Sequence, residues 1–430
     1  MRYKTPQNNL FLKNRNKLTR HFFVNSVAII HSNDEVPRNG DQTFPFRQNS
    51  DLFYLTGLDQ PKCILILCPD HPDEKKREMI FTEETSEKIA TWEGHRYTKE
   101  EVTQISGVES VYWLDEFETH LRDCLLRFDN VYLNQNEYVK FETEVPVKQE
   151  RFIKDIKEKY PLHKYHRLAP LLKKCRVVKE KEEIEMMSKS GEITGKGFER
   201  VLRKLKPGVR EFEMEAELTY EFLRNGAAGH AYPPILASGE NACVLHYIDN
   251  EAECKEGDLL LMDFGAEYGN YASDVSRTIP VNGKFTDRQR ECYEAVLHVQ
   301  KKAIQLLVPG KNLKEVNKEV GKMMEEAMIE MGLFTRKEAE QHNEEKPLYK
   351  KYFMHGVSHY IGLDVHDVGD MDGELKEGMV LTCEPGLYIK EEEIGIRIED
   401  DVMVAPQPVN LTHHIPKEVE EIEKIMSEEK

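Results

Sequence analysis

The sequence predicts an α/β protein of two domains, the second of them internally duplicated. Three observations predict it. The chain has 430 residues, more than one average domain holds and comfortable for two. Its apolar runs, such as CILILC at 63–68, have the length of strands. In the second half, a helical pattern, a Pro-Gly break and another helical pattern lead to a Lys-Glu-Gly turn and an apolar run, and this order occurs twice.

Taken in order, the first 33 residues contain no acid and several Lys and Arg, and they read as a basic first helix. The segments SVAIIHS, DLFYLTGL and KCILILC follow between 26 and 68 and read as short strands, as do EMIFT at 78–82 and ESVYWL at 109–114. A charged helix start, KEKEEIEMM, comes after APLLKKCRVV, which puts the domain boundary near 172 and the domains at 1–172 and 173–430. Ile184, Met187, Ile193, Phe198, Val201, Leu202 and Leu205 make a helical stripe over 179–205 that ends at Pro207-Gly208. A second helix spans 210–224. Thr286 and Gln289 form a capping box that opens a third through Leu307, and the fourth runs over 313–331. The final segment, KEVEEIEKIMSEEK, reads as a solvated helix or a frayed end.

The repeat is sharpest where KEGDLLLMDFG (255–265) aligns with KEGMVLTCEPG (376–386). The alignment puts Asp263 on Glu384 and brings His246 within one residue of His366. Each copy also has a second carboxylate downstream, Asp274 in SDVSRT and Glu399 in IRIED.

Composition excludes several roles. No apolar run approaches the roughly 20 residues of a membrane span. A net charge of −18 argues against nucleic acid, whose phosphates call for a basic surface. The eight cysteines show no CxxC spacing and read as reduced, mostly buried thiols.

Two halves related by pseudo-symmetry bring the strand ends carrying Asp263, Asp274, Glu384 and Glu399 face to face. Four converging acids cannot all ionise uncompensated, so some stay protonated or divalent metal fills the site. Nearby histidines favour metal. Four acids balance two divalent ions, and a mostly oxygen donor set suits Mn²⁺, Mg²⁺, Co²⁺ or Zn²⁺.

These residues carry a resemblance. HGVSHYIGLDVHDVG, MDFGAEYGNYASDVSRT, TCEPGLY and GIRIEDD resemble the M24 metallopeptidase family over about 175–410. The upstream segment FRQNSDLFYLTGLDQPKCILIL is similar to the domain that precedes the catalytic one in Xaa-Pro aminopeptidases and prolidases. The resemblance implies a pita-bread catalytic domain of two similar α/β halves around a dinuclear centre, with Mn²⁺ the first choice of metal. It implies that Asp263 binds one metal, that Asp274 and Glu399 bridge both, and that His359 and Glu384 complete the second. It further implies that a water or hydroxide between the metals attacks the scissile carbonyl and that Glu384 is the general base.

The same resemblance gives roles to the other residues. His366 would hydrogen-bond the peptide being cut, and His246 would stabilise the developing oxyanion or position substrate. His355 would sit behind the ligands or in the pocket wall, with an ordinary structural histidine as the alternative. Arg397 would pair with a carboxylate and orient ligands, unless it is a plain strand salt bridge. Trp92 resembles an aromatic that some members contribute from a neighbouring subunit, a packed aromatic being the other reading. Tyr388, in PGLYI, lies either near the site or, the commoner case, in the core.

The activity implied is removal of an N-terminal residue that precedes proline from short peptides. Alternatives are a prolidase cutting Xaa-Pro dipeptides, and a non-catalytic binding protein on the same fold, which the intact ligand set disfavours. The family implies a homodimer or homotetramer, and missing targeting signals point to the cytoplasm.

Overall fold

The computed structural model describes residues 3–342 and 346–428. They divide into two compact units, one formed by Thr5–Arg176 and the other built from Val177 onward. The division falls after Arg176 rather than at 172. Arg176 binds Asp51 at 2.7 Å within the first unit, which keeps the whole helix Ala169–Arg176 there.

The first unit is a six-stranded mixed sheet with helices on its faces. Its spatial order is Ser110–Trp113, Glu78–Thr82, Ile64–Leu67, Ser26–His31, Asn130–Leu133 and Lys164–Arg167. Ser26–His31 lies centrally, antiparallel to Ile64–Leu67 and parallel to Asn130–Leu133. All six of its residues are buried, as a strand covered on both faces requires.

DLFYLTGL, expected as a strand, forms the helix Ser50–Thr56 instead. The Asn49 side chain caps it by accepting the N–H groups of Asp51 and Leu52, both at 3.1 Å. Gly57 closes it in the left-handed region at φ 69°. Leu52 through Thr56 are buried without interruption, which erases the polar face that would have revealed a helical period.

His31 is buried against the Phe152 ring at 4.3 Å, and neither ring nitrogen has a hydrogen-bond partner among the described residues. Burial, helped by the charge of Lys148, pushes its pKa down to about 3. The folded value lies below the unfolded value of about 6.5. The unfolded chain therefore takes up the proton first, and stability falls as the pH drops from about 6.5 to 3. The expected slope from this group is at most about 1.4 kcal/mol per pH unit. Thermal unfolding of wild type and His31→Phe between pH 7 and 5 measures it. The variant should lose less stability on acidification, and parallel curves would refute the assignment.

The second unit repeats a helix pair and a small sheet. Helices Lys181–Lys204 and Glu211–Arg224 precede the first sheet, and Asp287–Ile304 and Leu313–Glu330 precede the second. The first sheet orders Ile235–Ser238, Leu259–Phe264 and Val275–Pro280, all antiparallel. The second orders Val380–Cys383, Asp400–Met403 and Val409–Asn410, also antiparallel. The stretch before Gly362 runs along Val380–Cys383, since Thr382 N–H donates to the His359 carbonyl and Glu384 N–H to that of Val357, both at 2.9 Å. The halves meet where Glu399 N–H donates to the Ser276 carbonyl at 3.1 Å.

The final helix, Val419–Ser427, is neither frayed nor fully solvated. Val419, Ile422 and Met426 form a buried stripe, and Glu423 accepts the Phe285 N–H at 3.1 Å. All eight cysteines are free thiols. Among the described residues no helix is long and apolar enough to cross a membrane.

Candidate active site

The strand pairings explain why the acidic residues converge. Asp263 is next to last in Leu259–Phe264 and pairs in register with Ser276 on Val275–Pro280. Glu384 follows Val380–Cys383, whose last residue pairs with Asp400, so Glu384 stands beside Glu399. Gly265 lets the chain turn close to Asp274. A Cβ there would lie 1.7 Å from the Ser273 carbonyl oxygen, so no other residue fits.

Asp274, His359 and Glu399 each offer a ligand atom, all within 4.8 Å of one another. His359 Nε2 lies 3.4 Å from Asp274 and 3.7 Å from Glu384. Its Nδ1 is 3.1 Å from its neighbour's carbonyl, that of Tyr360, which fixes the ring and leaves Nε2 facing the acids. Asp263 joins through Tyr232, whose hydroxyl reaches Asp263 at 2.6 Å and Asp274 at 2.5 Å.

Arg397 is buried, so the exposed salt-bridge reading fails. It donates to Asp263 at 2.7 Å, to Ser276 Oγ at 2.8 Å and to the Tyr388 hydroxyl at 2.9 Å. Ser276 in turn donates to Glu399 at 2.7 Å. His355 is within 2.8 Å of the Tyr388 hydroxyl and 3.7 Å of Glu384. Tyr388 is buried in the core, and its hydroxyl also reaches the site.

His366 and His246 are exposed. The His366 ring stands perpendicular to that of His359, with centroids 4.5 Å apart. His246 lies near enough to His355 for its charge to act on that ring. Trp92 is 83% exposed, so it is not a packed aromatic within this chain.

The electrostatics describe a site short of positive charge. Burial pushes the Glu384 carboxyl up to about 7 against the pull of His359 and Arg397. Burial, with the charges of Asp274, Glu384 and Asp263, holds Glu399 well above the usual carboxylate range. Asp263 is raised by burial despite Arg397. Burial acts the same way on Asp274, but the hydrogen bond and charge of His359 outweigh it and leave this acid lowered. Burial would lower His359, yet Asp274 and Glu384 bring it up to about 9. Burial and the Arg397 charge take His355 down to about 4. Arg397 is a fixed cation that touches Asp263 and whose charge is also felt by Glu384 and Glu399. Such a desolvated donor set, mostly oxygen with one nitrogen, fits divalent cations.

Residues 185–406 match the model of metallopeptidase family M24, and residues 11–132 match the aminopeptidase P N-terminal domain. The chain belongs to metallopeptidase family M24. Among its relatives is the Xaa-Pro aminopeptidase of Escherichia coli (strain K12), 37% identical over 433 residues, with 97% of each chain covered. Xaa-Pro aminopeptidase 3 of Homo sapiens is 30% identical over 428 residues, covering 94% of this chain and 82% of that one. Zn-substituted Escherichia coli aminopeptidase P in complex with product superposes with a TM-score of 0.88 at 34% identity, over 99% of this chain and 100% of that one. The Escherichia coli enzyme with the inhibitor Pro-Leu gives 0.87 at 34%, over 98% and 99%. The M24 chain thus has the pita-bread architecture behind an α/β domain, as the sequence predicts.

Sequence reasoning missed Tyr232, Ser276 and Thr382. Thr382 accepts the His359 N–H at 3.1 Å and donates to Glu384 at 3.3 Å, linking two candidate ligands. Its place two residues before Glu384 on an alternating strand, hence on the same face, was the available signal.

Proposed function

We propose that this chain is a metal-dependent aminopeptidase that hydrolyses the bond between an N-terminal residue and a following proline. The observation that carries the reading is the convergence of Asp263, Asp274, His359, Glu384 and Glu399 in a chain related to Xaa-Pro aminopeptidases along its whole length. These five would hold two divalent ions, with Mn²⁺ the first choice. Divalent ions bound there lower the pKa of water and polarise a carbonyl.

The protein supplies the remaining chemistry. Glu384, the carboxylate that His359 and Thr382 hold beside the other acids, would take the proton of the attacking water and return it to the departing amine. Arg397, Tyr388 and Ser276 hold the acids in place. His366 is exposed against the ring of His359, where it would contact the peptide, and the exposed His246 would position the peptide or stabilise the oxyanion. A proline nitrogen carries no hydrogen and its ring fixes φ, so recognition must come from a shaped pocket. The free thiols fit a reducing compartment, the cytoplasm. A homodimer or homotetramer, the assembly the family resemblance implies, would let the exposed Trp92 meet a second copy.

The test strips the protein with chelator, restores Mn²⁺ and compares an Xaa-Pro-Yaa tripeptide with an Xaa-Pro dipeptide. Release of the first residue from the tripeptide is expected. Cleavage of the dipeptide alone would make the protein a prolidase. Cleavage of neither, with metal bound, would transfer the fold to a binding role.

A further inference from the structure

His366 sits in a loop, 361–370, that contains no helix or strand. Its neighbour Asp367 points the other way, into the protein. The Asp367 carboxylate accepts from Lys179 Nζ at 2.8 Å, and the two side chains are 2% and 1% exposed. Lys179 is itself fixed, because its N–H donates to the Gly378 carbonyl at 2.9 Å just ahead of the helix Lys181–Lys204. The base of the loop is closed by the Asp367 N–H, which donates to the Tyr360 carbonyl at 2.8 Å. Gly362 packs directly on the pair. A Cβ there would lie 2.3 Å from the Asp367 oxygen and 2.9 Å from Lys179 Nζ, so a larger residue would have to push the pair aside.

A buried ion pair seldom stabilises a fold more than an apolar pair of the same volume, so stability alone does not explain this one. It does fix geometry. A carboxylate locked to an ammonium from another segment leaves the adjacent residue little freedom. We propose that the Lys179–Asp367 pair positions His366, setting its ring against His359 and hence against the bound peptide. The proposal rests on the aminopeptidase reading for the role of His366. Lys179 and Asp367 are positioning residues. They act through the loop and not on substrate.

The test replaces the pair by apolar side chains of similar volume, Lys179→Met with Asp367→Leu, and compares this protein with wild type and with Asp367→Ala. The double variant should recover most of the melting temperature lost in Asp367→Ala and keep wild-type Mn²⁺ content. Its kcat on the tripeptide should still fall roughly 10- to 100-fold, with KM less affected, as a misplaced group requires. Amide hydrogen exchange in 361–370 should quicken while the rest of the unit keeps its protection. A stable double variant with wild-type kcat and exchange would reduce the pair to a structural role. If the double variant does not fold, Asp367→Asn removes the charge at nearly constant shape. A tenfold fall in its kcat below its melting temperature supports the proposal, and a kcat within twofold of wild type overturns it. Wild type inactive on every Xaa-Pro peptide would defeat the functional reading instead, and the loop's exchange rates would still decide the role of the pair.

Discussion

His359→Ala is expected to lose bound metal and turnover together, whereas His366→Ala keeps its metal and loses turnover alone. The two rings lie side by side, 4.5 Å between centroids, so proximity does not separate them. Their partners do. His359 faces Asp274 and Glu384 with Nε2 while its other nitrogen is engaged by a carbonyl. Removing a partner behind a metal ligand typically costs about 10- to 100-fold in affinity or activity, and removing the ligand itself should exceed that. His366 is exposed beside the acids, where loss of one hydrogen-bond donor to the reacting peptide costs on the order of 100- to 1,000-fold in kcat. Metal content after gel filtration, read beside tripeptide turnover, tests the pair. Equal metal loss in both variants would sink the division of roles.

Arg277→Ala is expected to be the most destabilising single change in the second unit. The guanidinium and the Asp400 carboxylate are both 0% exposed and meet at 2.7 Å. The arginine also donates to the carbonyls of Ser276, Glu399, Ile415 and Pro416. Truncation leaves these oxygens and part of a buried charge without donors, at a cost of about 3–5 kcal/mol. Arg277→Lys should recover only part of this, since an ammonium cannot reproduce the five-donor fork. Burial would raise the Asp400 pKa, but Arg277 and Lys417 outweigh it and hold the carboxyl below the usual range. Its stabilisation is thus complete at neutral pH and is lost only as acid carries the pH down towards the depressed folded value. By contrast, Arg288 meets Glu392 at 2.8 Å where both are a third exposed, and Arg288→Ala should change stability by about 1 kcal/mol or less. Urea unfolding at pH 7 compares the variants. A loss below about 1 kcal/mol for Arg277→Ala would overturn the argument.

Much of the site was legible because its acids sit at fixed offsets from the repeated Lys-Glu-Gly turns. A strand of known start delivers its last residues to a known edge, so Asp263 and Glu384 could be placed without coordinates. Tyr232 and Ser276 could not. Each reaches the site through pairing across the sheets or halves, as when Arg397 spans Asp263 and Tyr388, and no local period records such contacts. The helix at Ser50–Thr56 was hidden for a different reason. Burial on every side removed the alternation by which helix and strand are told apart. The final helix was misjudged on its charge, although its three buried apolar residues were already spaced for packing.

The halves of the second unit meet where Glu399 N–H reaches the Ser276 carbonyl, and the proposed ligands are divided between them. Asp263 and Asp274 come from one half, and His359, Glu384 and Glu399 from the other. An ion held by both sets is therefore a reversible cross-link, closing a loop of 399 − 274 = 125 residues between two of its ligands. In the unfolded chain these ligands drift apart, so the ion binds only the native state. Every tenfold rise in free cation beyond its dissociation constant then adds about 1.4 kcal/mol to folding. Metal supply would thereby set the lifetime of the folded chain as well as its rate of turnover.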